Sequence, residues 1–189
     1  MSSTMAAKIG FLCERGAATQ PHSAVSLLSH LLGTRERLVE WGCSEAVCDA
    51  GLFHSVYGTQ DFGRAVVPAR ARASVRELLG ARAEQLVYVF GTMERDSLYD
   101  TLRSPGPHAV THRGDHRAIA LGGDEVADLC HLVLANWLEQ RPRLAAPYRL
   151  AQGDELRRMQ PWLVPAAWAE LDHVYGFTGS TARARSERS

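Results

Sequence analysis

The chain has one lysine. Lys8 stands beside 20 arginines, and the 21 basic residues are matched by 21 acidic ones. A formal net charge of zero argues against a nucleic-acid or acidic-membrane surface, because both need excess positive charge. No apolar run approaches a membrane span, and the run from Ile9 to Cys13 is too short for a signal-peptide core. A cytoplasmic location is therefore expected. Cys13, Cys43, Cys48 and Cys130 form no Cys-x-x-Cys pair, which argues against a zinc ribbon or a thioredoxin motif. Reduced, partly buried thiols are expected instead. There is also no P-loop, no dinucleotide fingerprint and no His-Glu-x-x-His.

What is present fits one domain. The 189 residues lie within the usual size of a single unit, and the 46% hydrophobic content is ordinary for a globular core. The arginine bias reads as a GC-rich coding preference. Arg64, Arg70, Arg72, Arg76 and Arg82 read as a solvated helix face rather than an anion site. Residues 1–20 are expected to be loosely ordered, residues 21–177 to form the domain, and residues 178–189 to be a disordered Arg/Ser/Thr-rich tail.

Apolar spacing predicts a succession of helices. The first runs from about Ser23, its cap, to Trp41, with Leu27, His30, Thr34, Leu38 and Trp41 on one face. Ser44 caps a second, to about Val56, with Val47, Ala50, His54 and Tyr57 aligned. Each histidine thus falls on the apolar stripe of its helix. A loop over 60–69 leads to helices over 69–79 and 81–93, and a long helix runs from Asp124 to Gln140. Two short helices, over 153–160 and 165–175, finish the chain. Residues 103–123 read as a loop with a short strand at Ala118–Leu121, and His108, His112 and His116 in it as solvated. His131 and His173 read as surface or satisfied core groups, and Trp137, Trp162 and Trp168 as core or subunit contacts. The pattern predicts an all-α bundle of about six to seven helices.

Three segments carry a family resemblance. His30 lies in Leu27-Leu28-Ser29-His30-Leu31-Leu32, and His54 follows 24 residues later in Ala50-Gly51-Leu52-Phe53-His54-Ser55. The third is Leu134-Ala135-Asn136-Trp137-Leu138-Glu139. This arrangement resembles the HD-domain superfamily, in which a histidine, a later His-Asp pair and a final Asp converge on a divalent metal. The chain is also similar to a bacterial and fungal family that shares the phrases LLxHLxGT, AGLFHSxYGT and ANxLEQ. The HD resemblance implies a compact helical fold and a pocket around His30 and His54. It departs at both anionic positions, where Ser55 and Asn136 replace the aspartates. Two imidazoles without a carboxylate hold a divalent ion less well.

Several functional readings stay open. In one, His30 and His54 are acid–base groups, Glu84 orients a histidine or takes a proton, and Ser55, Tyr57 and Asn136 orient a small polar substrate. In another, His30, His54, His22, Asp61 and Asp128 form a rearranged ligand set for Fe, Mn or Zn, as in a phosphohydrolase or an HD-type oxygenase. In a third, the chain is a catalytically silent ligand-binding or regulatory module. The leading expectation is a small-molecule enzyme of specialised metabolism. Its partner would be a small molecule, without nucleic acid or membrane, and it could be a homo-oligomer.

Overall fold

A computed structural model describes residues 3–22 and 24–178. Among them 61% of the architecture is helical, with nine α-helices and two two-stranded ribbons. The helix count exceeds the expected six to seven because two short segments without strong periodicity also fold as helices.

The first of these is α1, Met5–Glu14. Thr4 caps it, its hydroxyl accepting from the Ala7 N–H at 3.2 Å. Residues 1–20 were expected to be loosely ordered, and this stretch departs from that. Lys8 and Leu12 are buried, and the Lys8 ammonium donates to Asp49 Oδ2 at 2.5 Å. A charge partner on another helix, invisible to local pattern, holds the segment down.

Strands β1, Pro21–His22, and β2, Val25–Ser26, make a minimal antiparallel ribbon. It leads directly into α2, Leu27–Glu40, capped by the Ser26 hydroxyl, which accepts from Ser29 N–H at 3.1 Å. Ser23, the expected cap, lies outside the described residues. Helix α3, Glu45–Phe53, packs against α2. Gly51 permits that crossing: a Cβ there would stand 2.5 Å from Leu38 Cδ1. The helix ends earlier than its apolar pattern suggested, because the chain turns at Gly58, whose φ of +75° suits glycine.

Helices α4, Arg72–Leu79, and α5, Ala81–Thr92, meet at Gly80. Helix α6, Arg95–Thr101, is the second unanticipated helix. The strand expected at Ala118–Leu121 is present as β4, and the loop before it holds a second strand, β3, His108–Thr111, which pairs antiparallel with it. Strand β3 was missed because only Ala109 and Val110 in it are apolar. The long α7, Gly123–Gln140, begins where the Glu125 carboxylate accepts from the Gly122 N–H at 2.8 Å. Helices α8, Gly153–Arg157, and α9, Pro165–Tyr175, complete the described fold. The expected tail from residue 178 lies almost wholly outside the described residues. Helices α2, α3, α5 and α7 surround the core, and no helix among the described residues is long and apolar enough to cross a membrane.

Candidate functional site

The two histidines singled out by spacing meet. His30 comes from α2 and His54 from the C-terminal cap of α3. Their Nε2 atoms are 3.0 Å apart, with exposures of 0% and 1%. The His54 Nδ1 lies 2.7 Å from the Gly51 carbonyl oxygen, which can only accept. His54 therefore carries its proton on Nδ1 and presents a lone pair at Nε2. His30 Nδ1 is bonded to Glu139 Oε2 on α7, and Glu139 is held further by Arg143 Nη2 at 2.6 Å. Burial opposes ionisation of Glu139, but the hydrogen bonds and charges of His30 and Arg143 outweigh it and hold the carboxyl below its usual range. With an ionised Glu139 on one side and a lone pair on the other, His30 must donate from both nitrogens. The result is a buried row: carboxylate, imidazolium, neutral imidazole.

The backbone is shaped to allow the row. Gly33 lies one turn after His30 on α2, and a Cβ there would stand 3.0 Å from Glu139 Cγ. The missing side chain lets the carboxylate reach across. His54 is kept neutral chiefly by burial and then by the His30 charge, both of which lower its pKa well below the ordinary value.

His22 joins from β1. Its ring stacks on His30 with centroids 4.3 Å apart and meets Phe62 edge-on at 4.7 Å. Burial, and then the His30 charge, lower its pKa to about 4. Its Nε2 is buried and has no hydrogen-bond partner among the described residues.

Beside the row lies a cavity of about 400 Å³, at the small end of the range for ligand pockets. His22, Ser55, Asp61 and Asn136 line it, as do Arg95 and Gln140. Its apolar walls come from Phe62, Phe90, Val133, Trp137 and Leu144. Asn136 Oδ1 accepts from Gln140 Nε2 at 2.8 Å, which leaves the Asn136 amide N–H for a ligand.

The structure separates other anticipated site residues from this place. Glu84 is buried, but it accepts from Arg72 Nε at 2.6 Å, Arg72 Nη2 at 2.8 Å and the Tyr57 hydroxyl at 3.0 Å. Neither Glu84 nor Tyr57 lines the cavity. They form a separate hydrogen-bonded network with Arg72, so the structure does not bring them together with the other anticipated site residues. Asp128 binds Arg82 Nη2 at 2.6 Å and borders a different surface groove. Eight residues along an α-helix amount to about 80° of rotation, so Asp128 does not share the face of Asn136. His30 and His54 do not themselves line the cavity; they stand behind His22. His131 is a satisfied core group, bonding Ala127 O at 2.7 Å and accepting from Val164 N–H at 3.0 Å.

Sequence reading missed Glu139, Arg95 and Gln140. Glu139 had a usable signal: it falls three residues after Asn136, on the adjoining face of the same helix. Arg95 had none, because nothing local distinguishes it from the other 19 arginines.

Among the described residues the donors anticipated for a divalent metal are not gathered at one point. His30 and His54 are committed to each other, and Asp61 and Asp128 do not join them. No group of three or more His, Cys, Asp or Glu residues able to hold a metal occurs among the described residues.

A family model described as a domain of unknown function, DUF6817, matches residues 11–95, less than half of the chain. The matched stretch contains His22, His30 and His54, ends at Arg95 and excludes Glu139. No curated protein and no solved structure matches the chain.

The row has a pH consequence. The pKa values of His22 and His54 are lowered in the folded protein, whereas both return toward about 6.5 when unfolded. The unfolded state thus binds more protons between about pH 6.5 and 4. Their contribution to stability is complete above about pH 6.5 and declines as pH falls toward 4. Urea unfolding at pH 7.5, 6 and 5 should show a midpoint that falls steadily, with the slope of the transition unchanged.

Proposed function

We propose that the cavity is the site of a small-molecule enzyme working by acid–base chemistry, with His22 as the group that moves the proton. The observation that carries this reading is a polar cavity backed by an ordered Glu139–His30–His54 row. His22 stands at its edge with an unpartnered Nε2. An enzyme of this kind needs an imidazole in reach of the substrate and a fixed environment behind it. The row supplies the second: its charge order is set by Glu139 and Gly51, and the ring of His22 rests on it. Ser55 and the Asn136 amide orient the substrate or stabilise charge that develops on it. The 24-residue separation of His30 and His54 and the Leu134–Glu139 segment resemble the HD pattern in sequence, with Ser55 and Asn136 at the positions of its aspartates. This supports an HD-like protein whose chemistry has shifted away from a metal.

The test is untargeted mass spectrometry of a small-metabolite extract incubated with purified protein. The reading predicts that at least one metabolite is consumed and a product appears. Retention of a metabolite without conversion would contradict it and support a binding module.

A further inference from the structure

We infer that Arg95 forms a carboxylate subsite, so that the ligand of this cavity is a small organic acid with an apolar body. The inference deepens the proposed function and rests on its assignment of the cavity as the ligand site. Arg95, at the start of α6, is the one Lys or Arg side chain among the described residues that line the cavity. Its guanidinium stacks over the Phe90 ring, 4.4 Å from the centroid. No carboxylate among the described residues lies in ion-pair contact with it, and its Nη1 is buried with no hydrogen-bond partner. A half-buried guanidinium with one buried, unfilled donor is costly, and an anion from a ligand relieves that cost.

Charge and shape define the anion. Nearby Asp61, exposed at the rim, and Asp96, also exposed, already offset part of the Arg95 charge. With no second cation in the lining, the cavity suits a single negative charge rather than a phosphate dianion. The planar fork of arginine matches a carboxylate. Phe62, Phe90 and Trp137 offer rings to an apolar body beside it. An anion in this cavity would also raise the pKa of His22, as Glu139 already does, moving it toward the neutral range where acid–base catalysis works best.

The probes are benzoate, the isosteric neutral benzamide, and inorganic phosphate, titrated into the full chain and followed by NMR. Saturable benzoate binding is expected, with benzamide and phosphate at least about tenfold weaker. Arg95→Gln should weaken benzoate at least about tenfold, and Arg95→Lys should restore part of the loss. Thermal unfolding of each variant checks that it is folded. Equal affinity for benzoate and benzamide, preference for phosphate, or unchanged benzoate binding by folded Arg95→Gln would overturn the subsite. So would the absence of saturable benzoate binding. The two claims fail separately: benzoate binding that depends on Arg95, in a protein that converts no metabolite, would leave the subsite standing and overturn the enzyme reading alone.

Discussion

His22→Gln is expected to lower turnover of any substrate found for this protein by about 10²–10⁴-fold, the usual contribution of a general acid or base. Glutamine keeps a polar side chain of similar reach at the end of β1 but cannot exchange a proton. The His22 ring sits on His30 and against Phe62, so some packing is lost, and the variant's thermal midpoint must be recorded with its kinetics. The informative split is between kcat and KM. A loss confined to kcat marks an interaction made in the transition state, whereas a loss confined to KM marks simple binding. Unchanged kcat in a folded variant would remove His22 from the chemistry.

Lys8→Met is expected to destabilise the fold by about 3–5 kcal/mol, the cost of removing one partner from a buried ion pair. For a chain of this size that lowers the melting midpoint by roughly 6–20 °C. Lys8 and Asp49 are each 2% exposed, and the ammonium lies 2.5 Å from Asp49 Oδ2. The other carboxylate oxygen of Asp49 already has no hydrogen-bond partner among the described residues. Methionine fills much of the lysine's volume, so the loss comes from charge rather than from a void. The double variant Lys8→Met with Asp49→Leu should recover most of the stability, because it removes both buried charges. Urea denaturation of the four proteins in this cycle measures the coupling. A single-variant loss below about 1 kcal/mol would show that the pair is hydrated and not buried.

The helical fold was legible where periodicity was strong. Leu27, His30, Thr34 and Leu38 on α2, and the apolar run of α7, marked their faces plainly. The α1 segment was not legible, because its order depends on Lys8 reaching Asp49, 41 residues away. Of the β3–β4 hairpin only the second strand, Ala118–Leu121, was legible; its partner β3 is set by register rather than by pattern.

The candidate site was legible in its first members only. The separation of His30 and His54 pointed to their meeting, and Ser55, Asn136, His22 and Asp61 all reach the cavity. The anionic partner was sought in the wrong places. Glu84 looked like a carboxylate in need of a partner, and it has one in Arg72. Glu139 was not singled out, although it adjoins Asn136 on α7; the close approach to His30 that Gly33 allows is not visible in the local pattern. Arg95 shows the same limit: a charge without a partner is a property of the folded surroundings, not of the local sequence.

The central claim is that a charge-ordered row stands behind the cavity and fixes His22 at its edge. Ring-nitrogen NMR of histidine-labelled protein at pH 7 tests it most directly. The account predicts protons on both nitrogens of His30, on Nδ1 alone of His54, and a neutral His22. A singly protonated, neutral His30, or a charged His22, would contradict it.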